Sequence, residues 1–204
     1  MDTVIGIDVG QKRDPTAVCV AQRESRDEDG RAYTHYLIRH LERLPLGTPY
    51  PQVAERIGQI ATGVKERTGY PPSLFIDATG VGQPVVDAVS QGRHELGQVT
   101  GVYFTHGDRV SEIQSGPRYI GLSLGKSLLV SNLKVLLQNQ RIHLPQTSEA
   151  RALAQELVNY EIRIDEDANE RYGAFRTGTH DDLVTALGLT LDYQTRRPFL
   201  GWDR

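Results

Sequence analysis

The sequence predicts a mixed α/β fold, an antiparallel meander followed by parallel crossovers in one sheet flanked by helices. Three observations predict it. Residues 3–44 hold three strand-like runs joined by short turns. Residues 51–105 then alternate helix, strand, helix and strand, an order that needs a parallel crossover. Finally, aspartates close or adjoin short apolar segments in three distant places: Val4 to Asp8, Leu74 to Asp77, and Asp181-Asp182 before Leu183-Val184. An apolar strand ending in a carboxylate delivers that carboxylate to the rim of a sheet.

The elements follow in order. Residues 3–9 and 16–24 read as strands, joined by turn chemistry from Gly10 to Pro15. Arg26 to Gly30 is a charged hairpin tip, and residues 33–44 are a third strand. Residues 51–68 switch to helical spacing, with Val53, Ile57, Ile60, Ala61 and Val64 on one face. Gly69 stands where a left-handed cap is expected, with Pro71 and Pro72 as a stop. Residues 73–77 form a short apolar strand of the kind buried at the centre of a sheet. Residues 83–90 form a helix with Pro84 in its first turn, and residues 99–105 another strand.

Residues 106–119 are polar, lack a clear period and read as a loop. Residues 121–140 read as a helix with a leucine stripe from Leu124 to Leu137. Residues 142–145 are extended, 148–157 helical, and 159–164 with 171–176 a hairpin. Residues 181–193 form the last helix.

At 204 residues, the expectation is a single domain over 1–195 with a tail over 196–204. Apolar residues at 38% and charged residues at 24% suit a water-soluble globule, and no apolar run approaches the length of a bilayer span. The start, Met1-Asp2-Thr3, is acidic where a signal peptide is basic. Cys19 is the single cysteine, which excludes an internal disulfide and fits a reducing cytosol; its strand-like setting makes it a buried small hydrophobe. The net charge of −3 argues against tight DNA binding by the chain alone. Residues 93–143 nevertheless hold six Lys/Arg against three acids, either a solvated face or a side that meets phosphate.

Asp8, Asp77, Asp181 and Asp182 are the candidate site. Carboxylates without a His/Cys cluster suit hard divalent cations, Mg²⁺ or Mn²⁺. That points to metal-assisted phosphodiester chemistry. Each aspartate also has a plainer reading. Asp8 and Asp77 could bond turn amides, and Asp182 could complete a capping box with Thr179. Against this, Asp8 lies inside an apolar strand, where an unpaired charge is costly. Gly6 and Gly10 beside it leave room for something to approach the backbone. His180 reads as a loop histidine. Gly121 to Ser127 imitates a P-loop but has three residues between its glycines where that motif requires four.

These residues carry a resemblance. Ile5-Gly6-Ile7-Asp8-Val9-Gly10, Asp14-Pro15-Thr16-Ala17, Ile76-Asp77-Ala78-Thr79-Gly80 and His180-Asp181-Asp182-Leu183 look like the C-terminal nuclease domain of tailed-phage terminase large subunits. The resemblance runs from Ile5 to about Tyr193. It implies an RNase H-like fold of the resolvase type and an endonuclease that cuts concatemeric viral double-stranded DNA during genome packaging, using two Mg²⁺ or Mn²⁺ ions. Asp8, Asp77 and one or both of Asp181 and Asp182 would be the metal ligands and catalytic residues. Asp8 would bridge both ions, and Asp182 is favoured over Asp181 as the direct ligand.

The implied partners are double-stranded DNA, a packaging ATPase domain, the portal and a small terminase subunit, with no membrane, in the host cytoplasm. The family's N-terminal ATPase has no counterpart in this sequence, so the chain would be an excised domain or a detached homologue. Arg109, Arg118 and Lys126 are the candidate DNA contacts, on the 106–119 segment and the helix after it; the 159–176 hairpin is a further candidate surface. A junction resolvase or transposase-like nuclease, or a non-catalytic DNA- or partner-binding module of the same fold, would share these motifs. A sugar-kinase or actin-like nucleotide-binding domain would need a second glycine-rich phosphate loop, which is not evident.

Overall fold

The computed structural model describes residues 2–10, 12, 14–91, 96–115, 119–164, 170–173 and 181–193. Strands β1 (Asp2–Asp8), β2 (Ala17–Glu28) and β3 (Arg31–Arg43) form the expected antiparallel meander. The β2–β3 pairing runs out to Glu28 and Arg31, so most of the expected tip is strand. The turn is Asp29-Gly30, with both residues at positive φ.

Helix α1 (Tyr50–Thr68) ends on Gly69 at φ 80°, whose N–H bonds Lys65 O at 2.8 Å. Strand β4 (Ser73–Asp77), helix α2 (Gln83–Gln91) and strand β5 (Val99–Thr105) follow as a parallel crossover. Beyond β5 come β6 (Val110–Ser115), β7 (Tyr119–Gly125), α3 (Lys126–Gln138) and the two-residue β8 (Ile142–His143). Then come α4 (Ser148–Asn159), β9 (Glu161–Ile164), β10 (Glu170–Gly173) and α5 (Asp182–Leu189).

Eight strands form one mixed sheet in the order β6-β7-β5-β4-β1-β2-β3-β8. Pairs β1–β4, β4–β5, β5–β7 and β3–β8 are parallel, and the others antiparallel. Strands β9 and β10 pair separately as a hairpin.

Three expectations are corrected here. Residues 106–119 contain β6 and the start of β7, and the helix expected from Gly121 begins only at Lys126. Leu124 and Leu128 lie four apart, which imitates a helical stripe. Pairing decides otherwise: β7 is hydrogen-bonded to β5 from Tyr119 to Gly125 and to β6 on its other side. A central strand satisfies its backbone groups on both edges, which outweighs weak local propensity. The last helix is also shorter than expected, Asp182–Leu189.

Each face of the sheet buries its own core. Ile5, Ile7, Val18, Val20, Leu74 and Ile76 face Val53, Ile57 and Ala61 of α1 and Val85, Val86 and Val89 of α2. The opposite face sets Cys19, Ala21, Tyr36 and Leu41 against Leu129 and Leu133 of α3, Leu153 of α4, and Leu183 to Leu191 around α5. Cys19 is free and buried, as expected. No helix among the described residues is long and apolar enough to cross a membrane.

Candidate metal centre

Strands β1 and β4 are parallel neighbours, with Ile7 opposite Ile76. Asp8 and Asp77 therefore end adjacent strands, about 4.8 Å apart at the backbone. Their carboxyl ends form the rim where α/β sheets place their sites. Beyond Asp8 the chain turns tightly. Thr16 Oγ1 accepts from Gly10 N at 3.2 Å and donates to Gly10 O at 3.0 Å. A Cβ on Gly10 would overlap the Asp14 carbonyl. The Asp-Pro-Thr sequence thus closes the loop behind Asp8.

Asp77 Oδ1 accepts from Thr79 N at 2.8 Å, and Thr79 Oγ1 accepts from Phe104 N at 2.9 Å. Thr79 thereby ties the end of β4 to the end of β5.

The third contribution comes from the N-terminus of α5. Asp181 is its N-cap residue and Asp182 its first. The Thr179 of the expected capping box and His180 lie outside the described residues. The first helical N–H groups find a partner elsewhere: Leu183 N and Val184 N donate to Glu156 Oε2 of α4, at 3.1 and 3.3 Å. Arg43, at the end of β3, bonds Glu156 and also donates from Nε to Asp182 Oδ2 at 2.6 Å. Asp182 is 3% exposed, whereas Asp181 is half-buried.

Gly6 completes the seat, because a Cβ there would overlap the Ala186 carbonyl. The approach for which Gly6 leaves room is that of α5 itself. Lys126, at the start of α3, stands 5.6 Å from the centroid of the Phe104 ring.

These groups bear on Asp8. Burial, and then the charges of Asp77, Asp181 and Asp182, push the Asp8 carboxyl well above the usual carboxylate range; Lys126 pulls the other way. Asp77 is also raised by burial, opposed by the Thr79 hydrogen bonds and by Lys126. A rim this acidic favours whatever neutralises it, protons or cations. Its donors are all oxygens, suited to hard divalent ions. Among the described residues, however, no three His, Cys, Asp or Glu side chains converge at ligating distance.

Of the candidate residues, Asp8, Asp77, Asp181, Asp182 and Lys126 share one rim. Arg109 is exposed before β6, its carbonyl accepting from Gly125 N at 2.7 Å. Arg118 lies outside the described residues. Arg43, Glu156 and Thr79 went unnoticed in the sequence. Glu156 had a signal: it falls three residues after Leu153, on the buried side of α4. Arg43 shares a strand face with buried Leu41.

No protein-family model and no curated protein sequence matches the chain. Solved structures do. The large terminase nuclease of the thermophilic phage G20c, with bound magnesium, matches at a TM-score of 0.58 and 20% identity, over 93% of this chain and 79% of that one. The nuclease domain of g2p, the large terminase of bacteriophage SPP1, with bound Mn, gives 0.54 and 13%, over 93% and 85%. The human cytomegalovirus terminase nuclease domain, Mn soaked, gives 0.56 and 14%, over 92% and 80%. With its mixed eight-stranded sheet and flanking helices, the chain has the RNase H-like fold of the terminase nuclease domains.

Proposed function

We propose that the chain is a metal-dependent DNA endonuclease of the terminase type, cutting concatemeric viral double-stranded DNA during packaging in the host cytoplasm. A packaging ATPase domain, the portal and a small terminase subunit are its proposed partners. The observation that carries the reading is the convergence of Asp8 and Asp77, at the ends of the parallel neighbours β1 and β4, with the α5 N-terminus that carries Asp181 and Asp182, all three acids bearing on Asp8. The magnesium and manganese in the similar nuclease structures give the same direction.

Asp8, Asp77 and Asp181 would hold two Mg²⁺ or Mn²⁺ ions, with Asp8 bridging them. Asp182, buried against Arg43, would instead fix the end of α5. This reverses the sequence-based preference within the pair. When bound, such ions polarise the phosphodiester and lower the pKa of an attacking water. Lys126, beside the acids and over Phe104, is placed to offset charge on a phosphate entering the rim. Arg109 and Arg118 would meet the DNA backbone.

The test is plasmid cleavage with Mn²⁺ by the wild type, Asp8→Asn, Asp77→Asn, Asp181→Asn and Asp182→Asn, each checked by melting. The first three variants should fold and lose cutting; Asp182→Asn should retain cutting but melt lower. Asp8→Asn should melt above the wild type in EDTA, since it relieves repulsion, yet gain less from millimolar Mn²⁺. Undiminished cutting by Asp8→Asn or Asp77→Asn would sink the assignment.

A further inference from the structure

A groove of about 580 Å³ opens between α1 and the sheet, lined in part by Thr3, Gln22, Arg39, Arg56, Gly63 and Arg67. It lies away from the acidic rim. Thr3 and Asp8 sit near opposite ends of β1, about 16 Å apart along the strand. Its charge is also opposite to that of the rim: it has three arginines and, among the described residues, no acidic lining residue, in a chain of net charge −3.

The arginines are arranged in a particular way. Arg56 and Arg67 are eleven residues apart on α1, so they fall on one helix face, about 16 Å apart. Arg56 is held by Glu42, with N–O distances of 2.9 to 3.2 Å, which fixes its position. Arg39 crosses from β3 and donates twice to Gln22 Oε1, at 2.9 and 2.7 Å. Gln22 is neutral, so those bonds orient the guanidinium without cancelling its charge. Arg67 is exposed and has no ion-pair partner among the described residues. Its place in the last turn of α1 suits the helix dipole, whereas the charge of Arg39, on a strand, bears on Glu24 of β2.

Gly63 lies between Arg56 and Arg67 in mid-helix. Nothing stands within 4 Å of where its Cβ would be, so packing does not require glycine. Glycine is among the weakest helix formers, and here its effect is to keep the groove floor low.

We propose that this groove is a second phosphate-binding surface, which holds the backbone of duplex DNA away from the cutting site. Oriented guanidinium forks with threonine and amide neighbours match phosphate oxygens. Val20, Ile60 and Val64 also line the groove, but the guanidinium groups around them suit a regularly spaced polyanion; an acidic protein segment is the alternative occupant. The proposal rests on the reading of the chain as a DNA-cutting enzyme, and it gives that enzyme a hold on its substrate that the acidic rim cannot supply.

The test uses Arg39→Gln with Arg67→Gln, both at exposed positions, and Gly63→Ala as a second variant. Binding to a 30-base-pair duplex is followed by fluorescence anisotropy across a salt series, in Ca²⁺ to prevent cutting. The double variant should bind about tenfold more weakly near 0.1 M salt, with a log–log salt slope shallower by about two. Gly63→Ala should melt higher than the wild type yet bind DNA more weakly. Plasmid cleavage at saturating DNA should keep its rate in both. Unchanged affinity and slope in the double variant would overturn the proposal. So would a result in which the double substitution abolishes binding of a polyglutamate peptide and spares DNA. If the wild type binds DNA through these arginines but cuts nothing with Mn²⁺, the nuclease reading fails and the groove stands.

Discussion

Helices α1 and α5 pack on opposite faces of the same sheet, and they are built in opposite ways. α1 has 19 residues, a proline start, a left-handed glycine stop and one apolar face. It carries most of its own instructions. α5 has eight residues, all buried, and its N-cap aspartate makes no side-chain capping bond. It is held by others: Glu156 caps it, Arg43 ties down Asp182, and Gly6 and Gly188 let its backbone close on β1 and on Leu129. The lesson is that the helix bearing half of the acidic rim is the one least able to form alone. Its position is set by contacts from β1, β3, α3 and α4.

The largest effect should follow from removing the cation under α5. Arg43→Ala takes the cation away from buried Glu156 and Asp182 and should cost about 3 kcal/mol. Urea unfolding would measure it, and Mn²⁺-induced stabilisation should fall with it. A loss below about 1 kcal/mol would show that α5 is held by packing alone.

A smaller effect separates the two helices directly. Gly6→Ala should destabilise by about 2 kcal/mol, because its methyl meets the α5 backbone. Gly63→Ala, on open α1, should stabilise by up to about 1 kcal/mol. Shifts of the same sign would erase the contrast.

The smallest effect lies far from both. His143 Nε2 lies 2.9 Å from His35 Nδ1, and their rings stack at 5.2 Å. Burial, then the charges of Arg26 and His35, hold His143 below its ordinary value. A histidine lowered in the folded state contributes stability above its unfolded value of about 6.5 and loses it as pH falls from there through the lower folded value. The raised Asp8 carboxyl works in the opposite sense, favouring the folded state as pH falls. The signal is therefore a difference. His143→Gln should lose less stability than the wild type between about pH 7 and pH 5, read from melting curves. Parallel pH profiles would exclude this role.

The same division explains what was legible in the sequence. Strands β1 and β4 were visible because a fully apolar run ending in aspartate is a local signal. So was the end of α1 at Gly69. Strand β7 was not, since Gly121 to Leu124 becomes strand only by pairing with β5 and β6. Asp8 and Asp77 could be named in advance for the same local reason. The sequence favoured Asp182 over Asp181 as the ligand without sight of Arg43 and Glu156, whose approach to α5 no local pattern encodes. The arginine groove was equally hidden, joining Arg39 on β3 to Arg56 and Arg67 across the α1–sheet boundary.

The seating of α5 on β1 has a temporal consequence. Synthesis reaches Asp8 well before Asp181, which lies 173 residues further along the chain. At roughly 5–20 residues per second, on the order of ten seconds or more separate them. β1 can pair with β2 almost at once, a short-range closure, but the acidic rim stays open until α4 and α5 arrive. Throughout that interval the nascent domain lacks the complete constellation, beside whatever nucleic acid surrounds it.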